Sequence, residues 1–241
     1  MPRGLTAYVR RNKTFNYTPL NFIKKNKGAP AIGIMEGLQM IAGTFDLEAI
    51  KRVAPNAKHE LFTPMSAYGP RIATQLSKVI DLLCIDPATR QAVLLIAHPD
   101  DPLAERPCTL ALQLHCQISS DQTYTVSSTA FMRSSDGIWG LPYDIIQFGL
   151  LTHVAASIVG EHYNTKRWTT GESAVLIGNA HIYEMNDPAR ISRPYFRTEG
   201  PLKMPEFSKL KDWQKWAAGL IKKTRVAGDL YNEFGITEIL L

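Results

Sequence analysis

The chain has 241 residues, with 27 Lys and Arg against 22 Asp and Glu, a formal net charge of +5. Apolar residues are 45% and charged residues 20%, a globular balance that excludes a disordered or collagen-like chain, and no apolar run approaches the ~20 residues needed to span a bilayer. Three cysteines, Cys84, Cys108 and Cys116, are too few and too irregularly spaced for a disulfide framework or a zinc site, and the polar start Met1-Pro2-Arg3-Gly4 fits a cytosolic protein. The basic balance suits either nucleic acid or a phosphate-bearing small ligand.

The first thirty residues are basic and irregular, with Arg3, Arg10, Arg11 and Lys13 interleaved with Tyr8, Phe15 and Tyr17. The apolar spacing of Ile34, Leu38 and Ile41 predicts a helix over 31–43, with Gly43 as its stop signal and Glu36 inside it. A second amphipathic helix is predicted from Arg71 to Leu83. Strands are predicted at 91–97, 108–118 and 123–132, the last two joined by a turn at Ser119-Ser120-Asp121. A long, deeply buried helix is expected over 142–159, then a short strand at 173–177 and an amphipathic helix at 212–222. This order predicts an α+β fold, a central mixed sheet with one very buried helix, and a single domain over 1–241.

Four features carry chemistry. Cys108 follows Pro107 at a strand start, which suits a small core residue as well as a nucleophile. Glu36 among Ile, Met and Leu must be paired, neutral, functional or turned to solvent, and burial would raise its pKa toward the range useful for proton transfer. Arg133-Ser134-Ser135-Asp136 combines a forked cation with short hydroxyl donors, as phosphate binding requires, though a solvated turn has the same composition. His181 and Tyr183 would share one face if extended. There is no Walker loop, GxGxxG, HExxH or CxxC motif, which removes support for nucleotide hydrolases, dinucleotide enzymes and zinc enzymes.

Read in order, IGIMEGLQMIAG (32–43), SAYGPRI (66–72), DPATR (86–90), Pro107-Cys108 followed by Gln113, RSSDGIWGLPYDI (133–145) and GNAHIYEMND (178–187) resemble the thymidylate synthase superfamily. The resemblance runs from about residue 18 to 187, leaving 188–241 as a variable part. It implies a homodimer that transfers a one-carbon unit from 5,10-methylenetetrahydrofolate to C5 of a pyrimidine nucleotide. In that scheme the Cys108 thiolate adds to C6, with Glu36 and Tyr68 as further catalytic residues. Arg133 and Ser134 would bind phosphate, with the Arg133 charge lowering the thiol pKa. Arg90 would reach a phosphate across the dimer interface, and Arg11 is the candidate N-terminal phosphate ligand. Gln113, His181 and Tyr183 would bind substrate, the last two at the sugar 3′-hydroxyl. Asp136 and Gly140 would face the folate.

Asp144 departs from the synthase pattern, which has Asn there. Asn suits uracil, which has a protonated N3 and an O4 acceptor. Asp can accept from the cytosine amino group and, when protonated, donate to N3. Helix capping is the other reading of an Asp near Pro142. With Asp144 and the Cys108-Thr109 pair, the chain is similar to the deoxycytidylate hydroxymethylases of the superfamily, which implies dCMP as substrate and 5-hydroxymethyl-dCMP as product. A dCMP C5-methyltransferase is the near alternative, then a CMP hydroxymethylase or a thymidylate synthase; a non-catalytic nucleic-acid-binding protein is a distant one. Gln91 stands where a second Arg follows Arg90 in the synthases.

Overall fold

Alternating buried positions run through the middle of the chain, and in the computed structural model they build the sheet on which everything else rests. The structure describes residues 5–9, 29–57, 59–137, 140–165, 167–183, 196–197 and 204–238. The elements in chain order are β1 (Leu5–Val9), α1 (Ala29–Ala42), α2 (Leu47–Val53), α3 (Tyr68–Ile72), α4 (Leu76–Ile85), β2 (Val93–Leu95), β3 (Thr109–Ile118), β4 (Tyr124–Met132), β5 (Ser135–Asp136), α5 (Gly140–His162), β6 (Trp168–Ile177), β7 (Ala180–His181), β8 (Phe196–Arg197), α6 (Leu210–Lys223), α7 (Ala227–Phe234) and β9 (Thr237–Glu238).

The main sheet has five strands in the order β1-β6-β4-β3-β2. All its pairings are antiparallel except β4 with β6, which is parallel. A parallel neighbour requires a crossover connection, and α5 is that connection. It packs on β4 and β6, over the buried face that carries Val126, Ala130, Val175 and Ile177. The fold class, an α+β arrangement with a mixed sheet and a long buried helix, is therefore as the sequence predicts.

Helix α5 is longer than expected, 23 residues, and is apolar on nearly every side. By length and composition it could cross a membrane, contrary to the sequence reading, but 89% of its apolar window is buried inside the protein, so it is a core helix. The helix α1 packs against it. Gly33 permits that approach: a Cβ there would lie 2.9 Å from Ile146 Cδ1 and 3.2 Å from the Tyr143 Cα. Gly43 ends α1 with φ +70°, a backbone state that glycine takes without strain.

Other predicted elements change too, the strand expected at 91–97 shortening to Val93–Leu95. The helix expected from Arg71 to Leu83 is broken at Ala73-Thr74-Gln75 into α3 and α4. The reason is tertiary: the Gln75 amide pairs with the edge strand, accepting from Leu95 N at 3.0 Å and donating to Leu95 O at 2.8 Å. The strand expected at 173–177 extends back to Trp168, because β4 offers a partner along its whole length.

Candidate active site

The parallel β4–β6 pair decides where the motifs meet. Because both strands run the same way, Met132 opposite Ile177, the segments that follow them leave the sheet together. They pair again as β5 and β7, with Ser135 opposite Ala180 and Asp136 opposite His181. Ser134 Oγ then lies 3.4 Å from His181 Nδ1, and the rings of His181 and Tyr183 meet edge to face at 4.9 Å. Two motifs more than forty residues apart thus form one polar surface, with Tyr183 exposed.

Cys108 comes to the same place from β3. The backbone N–H of Arg133 donates to Cys108 O at 2.9 Å. The Arg133 guanidinium donates to Pro107 O at 3.1 Å from Nε and to Arg106 O at 2.8 Å from Nη2. A register irregularity between Thr109 and Ala111 immediately follows, the kind of bulge that re-aims a side chain at a strand end. Burial pushes the Cys108 thiol up, Arg133 pulls it down, and the Asp144 carboxyl raises it. The Arg133 effect has the expected sign, while burial outweighs it and the net shift is upward.

Cys108 borders a cavity of about 210 Å³ with Glu36, Tyr68, Arg106 and Gln147 on its polar side, and Met40, Phe45, Leu61 and Phe62 among its apolar walls. The Glu36 carboxylate accepts from Gln147 Nε2 at 2.8 Å. Its pKa is pushed up to about 8, first by burial and then by the neighbouring Asp144. Tyr68 stacks on Phe148 with ring centroids 6.2 Å apart, and its phenol oxygen accepts from Thr109 Oγ1 at 2.9 Å. Burial, with Asp144 next in weight, holds the Tyr68 phenol well above its ordinary value.

Asp144 is buried in the second turn of α5, past the positions where a side chain caps a helix, so the capping reading is set aside. Burial pushes its pKa up to about 8, partly offset by the Ser135 hydroxyl. That hydroxyl is itself buried without a partner in full hydrogen-bond geometry. Gly140 adjoins both: a Cβ there would lie 3.3 Å from Ser135 Oγ and 4.0 Å from Asp144 Oδ2. Asp136, also buried, lies beside them on β5.

Two expected site residues are not gathered here within the chain. Gln113 stands five positions along the strand from Cys108, about 17 Å at the usual rise, and donates to Arg90 O at 3.2 Å. Arg90 is exposed beside it. Arg11, and Arg10 with it, lie outside the described residues. Arg106 and Gln147, which also line the cavity, belong to none of the recognisable motifs. A polar Gln in an otherwise apolar helix was the available signal for Gln147, three residues after Asp144. An Arg before Pro-Cys resembles any solvated loop cation. Among the described residues no cluster of His, Cys, Asp and Glu could hold a metal ion.

The family model described as "Thymidylate synthase" matches residues 56–218, about two thirds of the chain. The chain is 29% identical over 119 residues to the thymidylate synthase of Agaricus bisporus, a segment covering 48% of this chain and 38% of that protein. It is 29% identical over 133 residues to that of human herpesvirus 8 type P (isolate GK18), covering 52% and 36%. It is 29% identical over 152 residues to that of Pseudomonas syringae pv. tomato (strain ATCC BAA-871 / DC3000), covering 58% and 43%. The matched segments thus span less than half of each of these relatives.

Proposed function

The chain belongs to the thymidylate synthase family, and from that premise we propose that it is a pyrimidine-nucleotide C5 one-carbon transferase acting on dCMP and releasing 5-hydroxymethyl-dCMP. The observation that carries the choice of base is Asp144, a buried carboxyl whose pKa of about 8 leaves it protonated at neutral pH. A protonated carboxyl offers one O–H donor and one carbonyl acceptor. That pair complements cytosine, with its unprotonated N3 and its amino group, when the proton sits on the oxygen that faces N3. Proton donation to N3 would draw electrons from C6, where Cys108 Sγ attacks.

The remaining residues take roles by position. Arg133, Ser134 and His181 form a cation-and-donor surface for the phosphate and sugar, next to the nucleophile. Arg133 also holds the backbone just before Cys108, so phosphate binding and thiol placement act through one side chain. Glu36, oriented by Gln147 and poised at about 8, can hold or release a proton at neutral pH beside the base. Tyr68, fixed by Phe148 and Thr109, holds a hydroxyl at the same cavity. Arg90, exposed beside Gln113 at the margin of the sheet, suits donation to a second copy in a homodimer.

The site also fits a flat folate ring. Phe45, Leu61 and Phe62 give an apolar wall near Cys108, and the buried Ser135 hydroxyl beside Asp136, Asp144 and Gly140 gives a polar edge. Methylenetetrahydrofolate would supply a one-carbon unit at the oxidation level of formaldehyde. Water closing the reaction gives hydroxymethyl and tetrahydrofolate, whereas hydride gives methyl and dihydrofolate. The water-closed product follows from the resemblance to the hydroxymethylase branch, in which a Cys-Thr pair such as Cys108-Thr109 is expected.

Mass spectrometry of products from dCMP, CMP and dUMP with methylenetetrahydrofolate tests the proposal. Gain of CH2O on dCMP is expected. Gain of CH2 with dihydrofolate would make the protein a methyltransferase, and turnover of dUMP alone would overturn the reading of Asp144.

A further inference from the structure

One charged side chain at the cavity has no part in that scheme. Arg106 stands two residues before Cys108 and is the one Lys or Arg among the described residues lining the cavity. Its segment is held in place, since Arg106 O and Pro107 O both accept from the Arg133 guanidinium.

The Arg106 side chain is poorly satisfied. A guanidinium carries five N–H donors. Only Nη2 finds acceptors among the described residues, Pro99 O at 3.2 Å and Asp101 O at 3.4 Å, both at the long end of the range. Nε is buried without a partner. The carboxylate of Asp101, whose backbone carbonyl Arg106 touches, is already taken: it accepts from Arg71 at 2.8 and 3.0 Å. Among the described residues no carboxylate pairs with Arg106, and its only neighbours as acceptors are neutral carbonyls. A permanently charged group with a buried, unpaired donor is costly. In a cavity bordered by Cys108, an occupant that would satisfy it is a ligand with anionic oxygens, which match the guanidinium fork.

We propose that Arg106 is an anion-binding residue of this cavity, taking a phosphate or carboxylate of a small molecule bound there beside Cys108. The inference rests on Cys108 as the nucleophile of the proposed reaction. The nucleotide phosphate and the folate carboxylates share this chemistry and are separated by experiment.

Calorimetric titration of the full chain with dCMP, deoxycytidine and tetrahydrofolate, using wild type, Arg106→Met and Arg106→Lys, tests it. Loss of a charged hydrogen bond weakens binding on the order of tenfold to a hundredfold. In Arg106→Met that loss should fall on one anionic ligand and spare deoxycytidine, with Arg106→Lys recovering part of it. Loss on dCMP identifies the phosphate, and loss on tetrahydrofolate the carboxylate. Unchanged affinity for both overturns the assignment, as does an equal loss for uncharged deoxycytidine, which would mark Arg106 as a structural wall. If Arg106→Met does not fold, Arg106→Lys and the salt dependence of wild-type binding decide, and a salt-independent affinity overturns it. Wild type that binds neither dCMP nor tetrahydrofolate would instead overturn the proposed function itself.

Discussion

Replacing Asp144 by Asn removes a group that folds protonated and unfolds charged. Its pKa moves from 3.8 in the free side chain to about 8 in the folded protein. A carboxyl raised in this way makes the folded state bind the extra proton, so its cost to stability grows as pH rises from about 4 to 8. Between pH 5.5 and 8 the growth is about 3 kcal/mol for this one carboxyl. Glu36, also near 8, has the same sign. Wild type should therefore lose stability across this window, and Asp144→Asn should lose about 3 kcal/mol less. The saving should be slightly larger because Asp144 helps raise Glu36. His115, whose pKa burial lowers, titrates alike in both proteins and cancels in the comparison. Urea unfolding of both proteins at pH 5.5 and 8 measures the difference. Parallel losses would mean that Asp144 is ionised in the folded state, and its role as a proton donor to cytosine would fall with it.

The other predictions concern the same site. Asp144→Asn should also lower the dCMP to dUMP ratio of kcat/KM by on the order of a hundredfold, and steady-state kinetics showing an unchanged ratio would refute base selection by this residue. With 5-fluoro-dCMP and methylenetetrahydrofolate, an intact-mass spectrum should show a covalent adduct in wild type and none in Cys108→Ser. Arg133→Ala should slow alkylation of Cys108 by iodoacetamide at pH 8, because losing the cation raises an already raised thiol; peptide mapping separates it from Cys84 and Cys116, whose pKa values near 11 keep them slow. Gly33→Ala should destabilise by roughly 1–2 kcal/mol in urea, since overpacking against Tyr143 and Ile146 exceeds the gain in helix propensity.

How much of this was legible follows from the range of each interaction. Helix α5 and strands β3 and β4 announce themselves because burial repeats with their own period. The break between α3 and α4 does not, because it is set by Gln75 reaching an edge strand twenty residues away. The motif order identified Cys108, Ser134 and His181, but only the parallel pairing of β4 with β6 explains why they meet. Asp144 is ambiguous on paper, since its distance from the helix start decides between cap and core. Gln113 looked close to Cys108 along the sequence, yet an extended strand carries it away. Arg106 carried no signal, because whether a loop arginine is solvated or left unpaired depends on Asp101 being occupied by Arg71.

The crossover that places α5 between β4 and β6 also bears on how the protein acquires its activity. The partners Met132 and Ile177 are about 45 positions apart, and closing so long a loop is entropically costly before any strand contact forms. Neither half of the polar surface has its neighbour until that closure occurs. Catalytic competence should therefore emerge late in refolding, after much of the helical signal has returned. A chain ending before β6 would keep its nucleophile but lack the groove that presents a nucleotide to it.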